Sequence, residues 1–348
     1  MIPEKIKELL KPQKLKISGR HQDWKSILRK QHYELIGEHS AVQICRWTKN
    51  SIRNEGVCYK EKFYGIKSHL CCQMTPAVMW CDNKCLHCWR AIELTLGNKI
   101  RGKINSPTEI IDECIKAQRK LLEGFKINEK TRYKTKSKAD MKKYLEAQEP
   151  MQFAISLSGE PTIYPKIGEL ISELRERGKT SFLVTNGLHP EKILELNKKN
   201  QLPTQIYVSV NAPNENLYNK IHRSSMKNAW KKLNETLKII SKLRGKTRTV
   251  FRMNLVRGLN MSEDLIREYA ELIGKANPTF VEVKGYMSVG FARQRLGYDR
   301  MPTYEEMKKF SEKLATATGF KILDSHEFSR VFVLGREKGE LKIKKEEI

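Results

Sequence analysis

The stretch Cys81-Asp82-Asn83-Lys84-Cys85-Leu86-His87-Cys88 places three cysteines within eight residues. Three thiolates at this spacing can hold three corners of a 4Fe–4S cube and leave the fourth iron without a protein ligand. An open metal position distinguishes a catalytic metal site from a closed structural one. Zinc is the alternative, with His87, Cys71 or Cys72 as a fourth ligand. Because zinc ribbons normally use pairs of cysteines two residues apart, the spacing favours the cluster.

The motif follows the first of several short apolar runs that alternate with helical patterns. Strands are predicted at 74–80, 152–158, 180–185, 205–211, 248–256 and 279–287. Helices are predicted near 107–123, 165–177, 189–199, 228–243 and 262–275. Ser106 and Glu109 form a capping-box pattern, and Ser262 with Glu263 and Asp264 marks another helix start. Parallel neighbours need crossover connections, so this alternation predicts an α/β fold with helices outside a parallel sheet.

The spacing and the strand-end position of the three cysteines resemble the radical S-adenosylmethionine superfamily. That resemblance implies a partial (β/α)6 barrel, although periodicity alone does not separate a barrel from an open doubly wound sheet. Ser158-Gly159-Glu160-Pro161 resembles the superfamily's Gly-Gly-Glu element, whose backbone meets the methionine amino group. The polar residues ending the next strands, expected near the ribose and methionine of the cofactor, are Thr185, Asn186, Ser209 and Asn211. His87 stands where the superfamily commonly has an aromatic residue that touches adenine.

A second cysteine pattern has the spacing Cys45-x12-Cys58-x12-Cys71. Three further thiolates again suit a 4Fe–4S cluster with one open iron. The alternatives are a zinc site completed by Cys72 and buried thiols without a metal. Spacing alone does not decide among them.

The charge of the chain points to a polyanionic partner. Lys and Arg total 66 against 40 Asp and Glu, a formal net charge of +26. This excess favours nucleic acid, whereas the alternative is a highly charged surface of the thermophilic kind. A Lys-rich insertion at 126–144 is interpreted either as a solvated segment or as a phosphate-contacting element.

The N-terminal segment has no apolar secretory region, and no run approaches the ~20 apolar residues of a membrane span. We therefore expect a cytoplasmic protein without a membrane association, in which the eight cysteines stay reduced. The expected organisation is a basic extension at 1–70 that supplies cysteines of the second set, a barrel core at 71–335, and a charged tail at 336–348.

The cysteine patterns together with the segments CYKEKFYGIKSHLCCQMTP, SLSGEPT, LVTNG and VSVNAPN closely resemble the archaeal tRNA 4-demethylwyosine synthase family. The resemblance covers most of the chain, from Cys45 to the last helices. It implies a lyase-type enzyme that converts N1-methylguanosine at position 37 of tRNA-Phe to 4-demethylwyosine with S-adenosylmethionine and pyruvate. It also implies two 4Fe–4S clusters, held by Cys81, Cys85, Cys88 and by Cys45, Cys58, Cys71.

The same resemblance makes Lys60 a candidate for a Schiff base with pyruvate. The competing interpretations are that pyruvate chelates the open iron of the second cluster while Lys60 pairs its carboxylate, and that Lys60 is a surface lysine. The chain is too short for the flavodoxin-like domain of eukaryotic relatives, so a ferredoxin or flavodoxin is expected to donate electrons to a monomeric enzyme.

Contacts to tRNA are expected from the N-terminal segment, the insertion and three arginines, Arg293, Arg295 and Arg300. Aromatic residues near the cysteines could stack on a flipped base: Trp47, Tyr59, Phe63, Tyr64, Trp80 and Trp89. Two rival functions remain at this stage. One is radical chemistry on another substrate, and the other is a non-catalytic metal-bearing RNA-binding protein.

Overall fold

The computed structural model describes residues 23–126 and 138–348, so the basic segment 1–22 and most of the Lys-rich insertion (127–137) lie outside the described residues. Within these ranges the chain forms one ten-stranded sheet with the order β1-β2-β3-β4-β5-β6-β7-β8-β10-β9. The strands are β1 Glu34–Ile36, β2 Ser40–Gln43, β3 Cys71–Thr75, β4 Gln152–Ile155, β5 Thr180–Thr185, β6 Gln205–Ser209, β7 Arg248–Leu255, β8 Phe280–Gly285, β9 Lys321–His326 and β10 Val331–Gly335.

Strands β3 to β8 are parallel and lie side by side in chain order. The sheet is not closed, because an antiparallel hairpin borders each side of the parallel strands. The predicted α/β fold, a partial (β/α)6 barrel with an N-terminal extension and a basic insertion, is confirmed in this form. Open curvature of this kind leaves an interior that is accessible from the carboxyl ends of the parallel strands.

The first parallel strand begins and ends earlier than predicted. It spans Cys71–Thr75 rather than 74–80. Pro76 has no N–H to donate to the sheet, so the ladder stops there and residues 76–80 form a buried loop. Val78 N bonds to His39 O in this loop at 2.7 Å. The cysteine motif therefore begins several residues beyond the end of the strand, at the end of a fixed loop.

The two edge hairpins were not predicted. β1 has only three residues, and β9 carries the mixed sequence KILDSH, so neither has the apolar alternation that marks a half-buried strand. Both are defined by pairing with strongly apolar neighbours, since Val42 and Val331–Leu334 are buried. Strand formation at the edges is thus set by tertiary context.

The helices are α1 Trp24–Lys30, α2 Arg46–Ile52, α3 Tyr59–Tyr64, α4 Pro107–Leu122, α5 Met141–Glu146, α6 Ile167–Glu176, α7 Pro190–Lys198, α8 Glu215–His222, α9 Ala229–Ser241, α10 Ile266–Ala276, α11 Ala292–Leu296 and α12 Tyr304–Thr318. Shorter 3₁₀ turns span Ser68–Leu70, Ile92–Leu94, Glu123–Phe125, Pro161–Ile163, Glu263–Leu265, Lys338–Glu340 and Lys345–Glu347. None of the helices in the described ranges is long and apolar enough to cross a membrane.

Both predicted helix starts are found, and they differ in how the first turn is capped. Ser106 and Glu109 form a reciprocal capping box at the start of α4. The Ser262 side chain makes no cap hydrogen bond, and the chain passes through a 3₁₀ turn before α10 begins at Ile266. Glu263 and Asp264 still lie in the first turn, where negative charge is favourable.

Two apolar layers lie on the two faces of the sheet. On the outer face the helices pack against residues such as Phe251 and Val281. On the inner face, short helix α3 fills the space enclosed by the strands, with Phe63 and Tyr64 packed against residues such as Phe280. Helix α3, which follows Cys58, therefore packs inside the half-barrel and fills part of its interior.

A close approach of two loops fixes the carboxyl edge of β3 and β4. Gly159 adopts a φ of +77°, and a Cβ atom there would overlap Ala77 O and lie 2.7 Å from Trp80 O. The next residue donates from Glu160 N to Trp80 O at 2.7 Å. Only glycine fits this crossing without strain.

We predict that Gly159→Ala lowers the free energy of unfolding by about 3 kcal/mol, because it adds a left-handed residue and a backbone clash. Gly274→Ala is the matched control, since that glycine lies in α10 and a methyl group added there would meet no atom within 4 Å. It should stabilise the protein by about 0.5–1 kcal/mol. Denaturant unfolding of both variants checks this, and equal stability of Gly159→Ala and the wild type would contradict it.

Candidate active site

The backbone of the cysteine loop is anchored on helix α8, and the Asp82 side chain of the loop contacts Asn186 and His189. Lys84 N and Leu86 N donate to the carbonyl oxygens of His222 and Ile221, at 2.9 and 3.0 Å. These acceptors lie at the carboxyl end of α8, whose last carbonyl groups have no partner within the helix. The loop therefore provides hydrogen-bond partners for the last carbonyl groups of α8.

Two buried arginines brace the same loop. Arg90 Nη2 donates to Asn83 O at 2.7 Å, and its Nη1 donates to Thr95 Oγ1 at 2.8 Å. Arg295 Nε donates to Leu86 O at 3.1 Å, and its Nη2 donates to Cys88 O. The prediction that Arg295 contacts tRNA is wrong, because only 4% of this residue is exposed and its guanidinium is used inside the protein.

The three cysteines of this loop are half-buried and lie near the Arg90 guanidinium. Burial raises the pKa of the Cys81 thiol to about 12. Burial, followed by the charges of Cys88 and Cys81, raises the pKa of Cys85 well above its usual value. Burial opposes the charge on Arg90, but the three cysteines outweigh it and raise its pKa. An iron–sulfur cluster held by Cys81, Cys85 and Cys88 would favour the thiolate form of all three, since metal coordination deprotonates a thiol outright.

A single-ion site is a different arrangement. Among the described residues, no three His, Cys, Asp or Glu groups converge closely enough to hold one metal ion. Three cysteine thiols on one loop are the donors that hold a four-iron cube, so the residues present fit a cluster.

The Gly-Gly-Glu-like segment lies beside this loop, and the Glu160 side chain joins two strand ends. Glu160 Oε1 accepts from Thr162 Oγ1 at 2.6 Å and from Thr185 Oγ1 at 2.7 Å, and Oε2 accepts from Asn186 N at 2.7 Å. Burial raises the pKa of Glu160, while these hydrogen bonds favour its charged form. The predicted residues at the ends of β4 and β5 are thus brought together as one network.

The residues predicted at the end of β6 lie on the other side of the loop. Asn211 Nδ2 lies 3.3 Å from His87 Nε2, and Asn211 Oδ1 accepts from Asn254 N at 2.9 Å. Ser209 is half-buried on the inner face, paired in register with Arg252 of β7. The structure brings His87 and Asn211 together and leaves Ser209 directed toward the interior.

Several buried polar atoms around this pocket lack a hydrogen-bond partner within the described chain. They are Ser158 Oγ, Asp82 Oδ1 and His87 Nδ1. An unpaired buried polar group is costly, and native proteins normally satisfy such groups with water or a ligand. A cofactor with amino, carboxylate, ribose and adenine groups offers such partners, so the residues present fit S-adenosylmethionine.

The second cysteine set lies at three element boundaries. Cys45 precedes α2, Cys58 precedes α3 with its Sγ accepting from Lys60 N at 3.5 Å, and Cys71 begins β3. Burial, followed by the charge of Cys45, raises the pKa of both Cys58 and Cys71 to about 12. The three thiols therefore lie within electrostatic reach of one another.

Cys72 does not join this set. Strand alternation directs it to the outer core, where it contacts Cys114 and is fully buried. The interpretation of a zinc site completed by Cys72 is therefore wrong, since its thiol faces away from Cys71.

Lys60 lies in the first turn of α3, inside the half-barrel. Its Nζ is 4.5 Å from the ring centroid of Phe182 and 4.6 Å from that of Tyr207. The Nζ atom donates no hydrogen bond to any described residue, and burial lowers the pKa of Lys60. Lys60 is thus an interior amine rather than a surface lysine.

The interior also contains charged residues that sequence reasoning missed. Arg252 of β7 lies in register with Glu282 of β8, and Lys284 follows two positions along β8 on the same inward face, in register with Asn254. Glu282 accepts from Tyr64 OH at 2.6 Å and from Tyr59 OH at 3.2 Å, and its Oε2 lies 3.7 Å from Arg252 Nε. The available signal was charge at alternate positions of two otherwise apolar strands, which is unusual for a buried face.

Lys284 is the second buried lysine of this interior. Its Nζ donates to Ser329 O at 2.9 Å, and burial followed by the charge of Arg252 lowers its pKa to about 8. Tyr59, Phe63 and Tyr64 are enclosed with these groups, so the prediction that they stack on a flipped base is wrong.

Comparison with known proteins also indicates S-adenosylmethionine as the cofactor and identifies the family. The sequence profile of the radical SAM superfamily matches residues 76–270, and the profile described as wyosine base formation matches residues 275–336. The chain is 45% identical over 313 residues to the S-adenosyl-L-methionine-dependent tRNA 4-demethylwyosine synthase of Pyrococcus abyssi, covering 90% of this chain and 88% of that protein. It is 36% identical over 315 residues to the Methanocaldococcus jannaschii enzyme of the same name, covering 89% and 95%.

Two solved structures share the whole fold. A structure of TYW1 with a lysine–pyruvate adduct bound aligns with a TM-score of 0.79 and 33% identity, over 94% of this chain and 99% of that one. A crystal structure of archaeal TYW1 aligns with a TM-score of 0.70 and 30% identity, over 99% of both chains. The superfamily match covers more than half of the chain, and the archaeal relatives match nearly all of it. The chain therefore belongs to the family of S-adenosyl-L-methionine-dependent tRNA 4-demethylwyosine synthases.

Proposed function

We propose that this protein is a tRNA-modifying radical enzyme that converts N1-methylguanosine at position 37 of tRNA-Phe to 4-demethylwyosine, with pyruvate as the two-carbon donor. The observation that carries the proposal is the three-cysteine loop after the first parallel strand together with the inward-facing amine of Lys60, two residues after Cys58 of the second cysteine set. The relatives are named for this reaction. The radical SAM assignment gives the chain S-adenosylmethionine and one 4Fe–4S cluster as cofactors.

The Cys81, Cys85 and Cys88 loop is the proposed holder of that cluster. When bound there, the cluster and S-adenosylmethionine supply a 5′-deoxyadenosyl radical that can remove hydrogen from the N1-methyl group. Arg90 offsets the negative charge of the thiolates, and the Glu160 network fixes the strand ends that face the cofactor. Ser158, Gly159, Thr185, Asn186, Ser209 and Asn211 complete the proposed cofactor pocket.

A second 4Fe–4S cluster is proposed at Cys45, Cys58 and Cys71. The support is the mutual electrostatic reach of three half-buried thiols, each positioned by a different element. Three ligands leave one iron open, which suits a site that orients a second substrate. The chain's own contribution is to hold this site beside Lys60.

Lys60 is proposed to form a Schiff base with pyruvate. The amine nitrogen bonds to carbon 2 of pyruvate, and the carbonyl oxygen leaves as water. The support is an amine enclosed by Phe182 and Tyr207, with no hydrogen-bond partner in the described chain, two residues from Cys58. A solved relative carries a lysine–pyruvate adduct.

The tRNA is proposed to meet the carboxyl edge of the parallel strands. The loop after β8 exposes Arg293, whose guanidinium lies 4.9 Å from the ring centroid of Tyr298. The β9–β10 turn, at the same edge, exposes 82% of Phe328. Exposed aromatic rings beside arginine suit stacking on unpaired bases, and the net charge of +26 suits the phosphates. We further propose a cytoplasmic monomer that receives electrons from a ferredoxin or flavodoxin.

The two cysteine sets are proposed to hold different clusters, so a variant of each set should lose a different part of the iron content and activity. We predict about eight irons per wild-type chain after anaerobic reconstitution, four per cluster. Cys71→Ala should bind about half as much iron, still cleave S-adenosylmethionine after reduction, and form no 4-demethylwyosine from pyruvate and N1-methylated tRNA. Cys88→Ala should lose both the cleavage and the product.

Cys114→Ala is the control, because this buried thiol lies in the outer core against Cys72. It should keep both clusters and both activities. Full iron content in Cys71→Ala would contradict the second cluster, and product formation by Cys88→Ala would contradict the proposed function.

The two buried lysines separate the interpretations of pyruvate binding. Borohydride should trap pyruvate on Lys60 of the wild type, and peptide mass analysis should find the reduced adduct. Lys60→Ala should lose the adduct and at least about 100-fold in product rate, the scale of an essential nucleophile. Lys284→Ala should keep the adduct on Lys60. Unchanged product formation by Lys60→Ala would remove this residue from the chemistry.

A further inference from the structure

Three cationic side chains of the half-barrel interior, Arg252, Lys60 and Lys284, lie around one carboxylate, that of Glu282. Charged groups are costly in a water-poor interior unless they are paired. The surplus of cations therefore marks a place for an anionic ligand.

Two arginines of β7, Arg248 and Arg252, lie four residues apart on the same face of the sheet. They differ in whether the guanidinium group has free N–H donors for a ligand. Arg248 is 6% exposed, and its guanidinium is saturated: it donates to Gln205 Oε1 at 3.0 Å, to Glu347 Oε1 at 3.1 Å and to Leu341 O at 2.6 Å. It acts as a brace between the strand and the tail of the chain.

The Arg252 guanidinium, in contrast, has unused N–H donors. Its nearest carboxylate oxygen, Glu282 Oε2, lies 3.7 Å from Nε, and neither Nη atom donates to a described residue. Its side chain remains 27% exposed toward the interior. A planar guanidinium with two free Nη groups matches the geometry of a carboxylate, which it binds through two parallel hydrogen bonds.

Glu282 sets the direction of this arginine. Both of its oxygens accept from tyrosine hydroxyls of α3, so the carboxylate is fixed and attracts the Nε side of Arg252. The Nη side is then directed away from Glu282. Lys60 lies on the same helix, α3, and its Nζ is 4.6 Å from the ring centroid of Tyr207 in β6. Ser209, two positions after Tyr207 in the same strand, is the register partner of Arg252.

We propose that Arg252 binds the carboxylate of pyruvate and so selects 2-oxo acids for the amine of Lys60. This inference rests on the proposed Schiff base, because an amine bonded to carbon 2 cannot also act as the free cation that pairs with carbon 1. Arg252 touches the substrate in this arrangement, while Glu282 is a positioning residue. Neutral ketones lack the charge that Arg252 recognises and bind weakly.

The test compares pyruvate with pyruvamide, which keeps the carbonyl and lacks the charge. Reconstituted wild type, Arg252→Gln, Arg252→Lys and Arg248→Gln are titrated with each compound, and the Lys60 adduct is trapped with borohydride and measured by peptide mass analysis. We expect Arg252→Gln to raise the half-saturating pyruvate concentration by about 10- to 100-fold, the range for one charge-assisted hydrogen-bonded pair. The pyruvamide value should change by less than about 3-fold.

The other variants control for folding. Arg252→Lys keeps the positive charge but lacks the two parallel Nη donors. Its half-saturating pyruvate concentration should lie between those of the wild type and Arg252→Gln. Arg248→Gln should lower the melting temperature and leave the ratio of pyruvate to pyruvamide unchanged. If Arg252→Gln keeps the wild-type ratio while the wild type is trapped on Lys60, the role of Arg252 is wrong and the Schiff base stands.

Equilibrium dialysis with labelled pyruvate tests the role of Arg252 even if pyruvate forms no Schiff base with Lys60. If no adduct forms on Lys60 but pyruvate binds and Arg252→Gln weakens it by the expected factor, the Schiff base is wrong and the role of Arg252 stands. If Arg252→Gln leaves pyruvate binding unchanged in dialysis as well, the inference is overturned.

Discussion

The hydrogen bonds from Tyr59 and Tyr64 to Glu282 hold the interior of this protein together. They anchor helix α3 inside an open half-barrel, between strands that carry charged groups. A buried carboxylate needs such donors, and a short helix needs such an anchor, since six residues alone do not form a stable helix. The position of Cys58 before this helix, the amine of Lys60 in its first turn and the direction of Arg252 all depend on that attachment.

The radical-forming side of the site is built differently. There the cysteine loop completes the end of α8 and crosses the turn at Gly159, so backbone contacts fix it. Buried Arg90 and Arg295 brace the loop from within, and Glu160 ties the ends of β4 and β5 beneath it. Two independent supports thus meet in one interior, one for the radical cofactor and one for the proposed 2-oxo acid site.

The sequence predicts the parts of this arrangement that depend on residue type and spacing. Cys81, Cys85 and Cys88, the polar ends of β4 to β6 and the alternation of strands and helices follow from local patterns. The interior of β7 and β8 does not, because charged residues such as Arg252 and Glu282 resemble the solvent side of an exposed strand until α3 is known to cover them. Arg295 illustrates the converse: an arginine in a basic loop looks like a phosphate contact, yet it is buried against the carbonyl groups of the cysteine loop.

The proposed reaction bonds carbon 2 of pyruvate to the N1-methyl carbon of a guanosine in tRNA and breaks the bond between carbons 1 and 2, so that carbon 1 leaves as a one-carbon product. Closure of the third ring onto the guanine amine releases the carbonyl oxygen as water and keeps carbons 2 and 3 of pyruvate. The most direct measurement is nucleoside mass analysis after anaerobic reaction of the reconstituted enzyme with reductant, S-adenosylmethionine, N1-methylated tRNA-Phe and ¹³C-labelled pyruvate. We predict a 4-demethylwyosine product that carries two labelled carbons from pyruvate labelled at carbons 2 and 3, and none from pyruvate labelled at carbon 1. A product that keeps the carbon 1 label, or tRNA that remains unmodified while S-adenosylmethionine is cleaved, would contradict this reaction.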